Sequence, residues 1–155
     1  MPYDFTFRRV TFVDNQMSLE KNISLGLDLM NSFAEINDLN LPDSSSYFIK
    51  TVLDESKEFP ELHFYLIAEI DGFFYHFSFW KDYLYVELGA GGDIVKRFEY
   101  LLQYAELILK HDFLIEDPVD KTNTSSEVAI ERNIVEYKKW SGFVDKVRKL
   151  YDSKN

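Results

Sequence analysis

The stretch LHFYLIAEIDGFFYHFSFWKDYLYVEL, residues 62–88, decides the fold. Asp71-Gly72 is the kind of two-residue turn whose backbone matches the right-handed twist of paired strands. It separates two runs dense in aromatic and apolar side chains, and Lys81-Asp82 marks a weaker turn into YLYVEL. The expected product is a three-stranded antiparallel meander. With the first turn as register pin, Ile70 faces Phe73, Ala68 faces Tyr75, Leu66 faces Phe77 and Phe64 faces Phe79. Leu84, Val86 and Leu88 continue that row if the second turn also has two residues. Side chains alternate across a strand, so this almost wholly apolar set lies on one side and is the candidate core.

The other side receives His63, Tyr65, Ile67, Glu69, Phe74, His76, Ser78, Trp80, Tyr83, Tyr85 and Glu87. The expected cross-strand neighbours are His63 with Trp80, Ser78 with Tyr85, and His76 with Glu87. Two readings of this side compete. Two long helices need somewhere to pack, which favours a helix across it, the C-terminal one with Trp140 being the candidate; Tyr and Trp would then bury their rings and keep a polar tip bonded. The second reading leaves the side bare, as a patch with the Tyr/Trp signature of an interface centre.

Outward from the meander, Tyr3–Val13 reads as a strand in which Tyr3, Phe5 and Phe7 alternate with Asp4, Thr6 and Arg8. Its apolar parity then switches to Val10 and Phe12, which a β-bulge near Arg8-Arg9 would explain. Residues 18–36 fit a helical stripe of Leu19, Ile23, Leu27, Met30 and Ala34, but Ile23 to Leu29 also alternate with period two; length favours helix. The polar loop NDLNLPDSSS leads to a short helix near Tyr47–Ser56, closed by Pro60. After GAGGD, residues 93–110 carry a strong amphipathic pattern: Ile94, Phe98, Leu101, Leu102, Ala105, Ile108 and Leu109. FLIE, 113–116, is a short strand. Thr124-Ser125-Ser126-Glu127 has capping-box spacing and opens a helix running towards Tyr151, with Trp140, Phe143, Val144, Val147 and Tyr151 as its apolar stripe and Gly142 as a candidate bend. The fold class expected is a single α+β domain spanning 1–155: an antiparallel sheet of four to five strands packed by three to four helices.

Composition narrows the function. The 155 residues include 14 Phe and 10 Tyr, far too many aromatics for a disordered chain. There is no cysteine, hence no disulfide framework and no thiolate nucleophile or ligand. The formal charge of −10 opposes binding to phosphate backbones, so nucleic acid is not an expected partner. It would speed encounter with a basic protein. No signal peptide is read at the N-terminus, and no stretch reaches the ~18 apolar residues of a membrane span. A cytoplasmic protein without membrane contact is the expectation. The charge is uneven: residues 124–155 carry a net +2, leaving −12 on the rest, which suits a C-terminal helix docked on an acidic body.

No motif names a chemistry. His63, His76 and Glu87 are the residue types of an open zinc site, but no H-x-H or H-E-x-x-H spacing accompanies them, and a surface His–Glu pair is the simpler reading. GAGG lacks the Lys-Ser/Thr of a P-loop, and Asp93 would repel a phosphate. Glu116-Asp117 with Asp120 invites comparison with paired catalytic carboxylates, yet Asp-Pro is a common turn starter. His111 at a helix C-terminus is accounted for by the helix dipole. No cofactor is implied and no enzyme is read.

The YDFTF strand at 3–7, the aromatic meander, and an amphipathic helix running into FLIEDP at 113–118 resemble small acidic bacterial immunity proteins encoded beside polymorphic or contact-dependent toxins. The resemblance implies a protein that binds a cognate toxin, here a basic one, and masks its active or binding surface; it carries over no particular contact residue. The contacts expected from the sheet are Tyr65, His76, Trp80, Tyr83, Tyr85 and Glu87, with a loop rim such as Asp38–Ser46 as a further candidate. Alternatives are a small-ligand protein or enzyme with a pocket between sheet and helices, and a homodimer or larger homo-oligomer joined through the aromatic face.

Overall fold

A computed structural model describes residues 3–36, 61–70, 73–88, 94–124 and 127–153. The Asp71-Gly72 turn, the Asp38–Ser46 rim, the helix expected at Tyr47–Ser56, the GAGG segment and the middle of the capping box lie outside them. The chain runs β1 (Tyr3–Arg9), α1 (Asn15–Ile36), β2 (Leu62–Ile70), β3 (Phe73–Trp80), β4 (Tyr83–Leu88), α2 (Ile94–Leu109), β5 (Phe113–Glu116), β6 (Asn123–Thr124) and α3 (Glu127–Ser153). The fold is α+β. Its strands form one antiparallel sheet in the order β2-β3-β4-β1-β5-β6, to which β6 adds only two residues. Among the described residues no helix is long and apolar enough to cross a membrane.

The meander register is the expected one: Phe64, Leu66, Ala68 and Ile70 pair with Phe79, Phe77, Tyr75 and Phe73, and Phe79, Phe77 and Tyr75 pair with Leu84, Val86 and Leu88. β1 inserts between β4 and β5, which adds Phe5, Phe7, Phe113 and Ile115 to the same buried face. All three described helices pack on that one face. Leu25, Leu29 and Phe33 of α1, Leu101, Tyr104, Ala105 and Ile108 of α2, and Ala129, Ile130 and Tyr137 of α3 join a single core cluster with the strand residues. Tyr104 is its hub, edge-on to Phe33 at 4.9 Å, to Tyr75 at 5.3 Å and to Phe77 at 5.9 Å. Such T-shaped pairs add to area burial because ring edges and faces carry opposite partial charge. Burial pushes the Tyr104 hydroxyl pKa well above its ordinary value, with Tyr75 adding to the shift.

Four local expectations are corrected. The β1–β4 register runs unbroken from Tyr3 to Arg8, so the parity switch marks the end of the strand rather than a bulge. Beyond it Val10 and Phe12 are exposed, while Arg9 keeps the inward parity of Phe5 and Phe7. The bulge lies instead in β2, where Leu62 pairs with Trp80 and Phe64 with Phe79, leaving His63 as the extra residue. Its imidazole is turned away from the face of Trp80 and buried against α1. In α1 the buried row is Ser18, Asn22, Leu25, Leu29 and Phe33, rotated from the expected stripe, whose members are only partly buried. In α3 the inward side chains are Ala129, Ile130, Asn133, Tyr137 and Ser141, whereas Phe143, Val147 and Tyr151 are exposed. The helix continues through Gly142 without a break.

The rotation of α1 has a chemical cause. Asp14 starts the helix by accepting from the Met17 amide at 2.8 Å. Eight residues on, Asn22 accepts from the Arg9 guanidinium through its side-chain oxygen at 2.5 Å. Its amide nitrogen lies 2.9 Å from both His63 Nδ1 and the Trp80 carbonyl oxygen. His63 Nε2 in turn lies 2.9 Å from Asn15 Oδ1. The arrangement assigns the neutral tautomer in which Nδ1 accepts from Asn22 and Nε2–H donates to Asn15. A polar residue is therefore buried because it is bonded on every side, which hydrophobic periodicity does not register.

Burial, reinforced by the nearby Arg9 charge, pulls the His63 pKa from 6.5 down to about 4. Between those values the unfolded chain binds the proton more readily than the folded one, so this group's contribution to stability is complete above 6.5 and is lost as pH falls towards 4. One pKa unit corresponds to about 1.4 kcal/mol, making the loss on the order of 3 kcal/mol. Urea unfolding of the wild type and of His63→Leu across this range is expected to show a steep acid decline in the first. The variant is expected to be less stable at neutral pH, with a shallower decline. Parallel pH profiles would rule out His63 as the source.

Candidate functional site

With every described helix on one side, the alternate strand residues form a sheet face that no described helix covers. Three rows run across it. Tyr65, Ser78, Tyr85 and Thr6 are successive cross-strand neighbours. A second row holds Ile67, His76, Glu87 and Asp4. The third runs from Trp80 across the turn to Tyr83, Arg8 and Leu114. All six side chains expected as contacts, Tyr65, His76, Trp80, Tyr83, Tyr85 and Glu87, stand on this face and are half-buried, while Ile67 is 64% exposed. The C-terminal helix with Trp140 does not lie over them: Trp140 packs at 5.9 Å from Tyr137 on the core side.

The rings order one another. Tyr83 and Tyr85 are parallel to within 13°, with centroids 6.0 Å apart. The Arg8 guanidinium sits 4.3 Å from the Tyr83 ring centroid, a cation–π contact that fixes one wall. Tyr65 and His76 lie 5.2 Å apart. Ser78, the smallest side chain in the row of Tyr65, Tyr85 and Thr6, is buried between the two tyrosines. A recess of about 170 Å³ opens at the end where Trp80, Tyr83 and Tyr85 meet Glu61, Lys81 and Asp82.

The electrostatics are unbalanced. Asp4 and Glu87 are direct cross-strand partners, and like charges so placed repel. Burial first, and Glu87 second, raise the Asp4 pKa above its ordinary value. His76 Nδ1 lies 3.5 Å from Glu87 Oε2, and its Nε2 is buried with no hydrogen-bond partner among the described residues. Burial and the neighbouring Tyr83 raise the Tyr85 pKa, so its hydroxyl is a neutral donor. Asp4, Thr6 and Arg8 are the members that sequence reasoning missed. Their alternation was visible, but the insertion of β1 beside β4 was not.

The other candidates resolve into structural roles. His63 lies on the opposite side, so His63, His76 and Glu87 do not converge, and the expected pairing of His63 with Trp80 is replaced by Leu62. Among the described residues no group of three or more His, Asp or Glu is placed to hold a metal. Asp117 accepts from the amides of Val119 at 2.8 Å and Asp120 at 3.2 Å, and from Arg132 at 2.8 Å. Burial alone would raise its pKa; these donors outweigh it and hold the carboxyl below the usual range, as the anchor of a turn. His111 has a partner that the dipole argument did not anticipate, Asp28 at 2.7 Å.

Comparison with protein-family models, with curated proteins and with solved structures finds no match to this chain.

Asp4→Asn is expected to stabilise the free protein by about 0.5 kcal/mol, because it removes the cross-strand repulsion with Glu87. Thermal or urea unfolding checks this. A destabilised variant would mean that Asp4 is held by a favourable contact instead.

Proposed function

We propose that this is a protein-recognition module whose bare sheet face binds a basic protein, and that it acts as an immunity or inhibitor protein neutralising a cognate bacterial toxin in the cytoplasm by masking its active or binding surface. It works without catalysis. The observation that supports the reading is the one-sided layer of described helices, which leaves Trp80, Tyr83, Tyr85, Tyr65 and His76 on a face that also carries Asp4 and Glu87, with Glu61 and Asp82 at its recess. Interface centres are rich in Tyr and Trp, because these rings offer large contact area with few rotors to immobilise. A face on which Asp4 repels Glu87 is relieved by an incoming Lys or Arg, and that relief supplies binding energy and partner choice together.

The recess beside Trp80 favours a partner side chain over a free small molecule. At about 170 Å³ it is below the roughly 300–1,000 Å³ of typical small-ligand sites, and suits a single anchoring residue.

The test co-expresses this protein with the product of each gene that flanks its own, in search of one whose toxicity it relieves; finding none would remove the toxin reading. Growth is expected to be rescued by the wild type. Trp80→Ala and Tyr85→Ala are each expected to weaken the purified complex at least about tenfold, with unchanged melting temperature. Unfolding of either variant would make its ring structural, and full binding by both would remove the sheet face as the interface.

A further inference from the structure

A second surface lies on α3, on the side facing away from the core. Val135 is 50% exposed, Phe143 65% and Leu150 64%, in a helix whose inward face is already satisfied by Ala129, Ile130, Asn133 and Tyr137. At 3.6 residues per turn, Val128, Val135, Phe143 and Leu150 fall within about 80° of one another, so they form one stripe along the helix. Its two halves differ in charge. Residues 127–136 carry three glutamates and one arginine, a net of −2; residues 138–149 carry five basic residues and one aspartate, a net of +4. They also differ in shape. The first half borders a recess of about 380 Å³ lined by Val119, Val128, Glu131, Arg132, Val135 and Glu136. The second half presents the bulky Phe143 and Leu150. Arg132 does not spoil the acidic character of the recess, because Asp117 at 2.8 Å and Asp120 at 3.1 Å already bind it.

We propose that two copies of this chain pair through α3, antiparallel about a twofold axis at Lys139. Residues equidistant from Lys139 then meet: Val135 of one copy faces Phe143 of the other, and Val128 faces Leu150. Each recess receives the other copy's Phe143 and Leu150, and each acidic half lies along a basic half. Glu131 comes opposite the stretch containing Lys146 and Arg148. Lys139 at the axis is partly neutralised by Glu136 of its own chain, 3.3 Å away. Near the middle, Gly142 faces open space, where a Cβ would meet nothing within 4 Å, so a second helix can approach closely there. A twofold contact of this kind is self-complementary and closes at two copies. An anionic membrane is a poorer occupant, since it would set Glu131 and Glu136 against like charge. This surface is separate from the sheet face, so the pairing stands whether or not a toxin binds there.

The chain has no cysteine, which makes a single introduced thiol diagnostic. Lys139→Cys is expected to give an intermolecular disulfide rapidly under mild oxidation, because residues at a helix-pair dyad come within bridging distance. Glu106→Cys, exposed on α2, is the control: it is expected to pair through α3 as the wild type does but to form no intermolecular disulfide at a comparable rate. Sedimentation of the wild type is expected to show a concentration-dependent dimer that weakens with salt. Phe143→Asp is expected to raise its dissociation constant about a hundredfold while leaving helical circular dichroism unchanged. A wild type that stays monomeric at all concentrations overturns the proposal. So does a dimer that Phe143→Asp leaves intact, or a Lys139→Cys variant no faster to cross-link than the control. Binding of a monomer to anionic vesicles, lost in Phe143→Asp, would assign the stripe to membranes and also overturn it.

Discussion

The structure depends on one constraint: three helices from three separate parts of the chain bury the same face of one sheet. Phe5, Phe7, Phe64, Phe77, Phe79 and Val86 all point to that side, and α1, α2 and α3 converge on it. Burying a large apolar side chain contributes about 1.5–3 kcal/mol, so the face with this row of Phe, Leu and Val is the one that attracts the helices. Tyr104 joins the layers by meeting Phe33 of α1 and Tyr75 and Phe77 of β3 edge-on. Once the helices are committed to one side, the other face of the sheet must be wetted or covered by something else.

A second, polar constraint fixes how α1 lies. Arg9, Asn22 and His63 come from β1, α1 and the bulge of β2, and their hydrogen bonds close on one another and on the Lys81 and Trp80 carbonyls. An unpaired polar group in such a place is costly, so the three must arrive together or not at all. The network specifies the rotation of α1 about its axis, which apolar contacts leave loosely defined. It also explains the bulge: one extra residue turns His63 out of the sheet's alternation and towards Asn22 and Asn15.

The face that no described helix covers is of a different kind. Its residues are not mutually satisfied: Asp4 stands against Glu87, and His76 Nε2 is buried without a hydrogen-bond partner among the described residues. An unpaired buried atom is not peculiar to this face, since Arg9 Nη1, Tyr104 Oη and Ser141 Oγ are likewise buried without a hydrogen-bond partner among the described residues; the like-charge cross-strand pair is what lowers stability here with no gain inside the molecule. In the complex proposed above, a partner's Lys or Arg would relieve the repulsion between Asp4 and Glu87. The Tyr83–Tyr85 stack and the Arg8 cation–π contact hold these rings in place within the free protein, which would reduce the entropy lost in the proposed complex.

The sheet register from Phe64 to Leu88 was legible in the chain because strand alternation has a period of two and a two-residue turn sets its phase. The identity of the outward residues Tyr65, His76, Trp80, Tyr83, Tyr85 and Glu87 followed from the same counting. Three matters were not legible. The place of β1 between β4 and β5, which brings Asp4 to Glu87 and Arg8 to Tyr83, is a pairing over some eighty residues that local pattern does not encode. The buried rows of α1 and α3 contain Ser18, Asn22, Asn133 and Ser141, polar residues whose burial depends on distant partners or close packing. Whether the C-terminal helix joins the others on the oily face or crosses the outward one is the third, and only the tertiary structure decides it. Local sequence determines which side of a strand is oily, but the covering of that side is settled by competition among all the elements for the same limited surface.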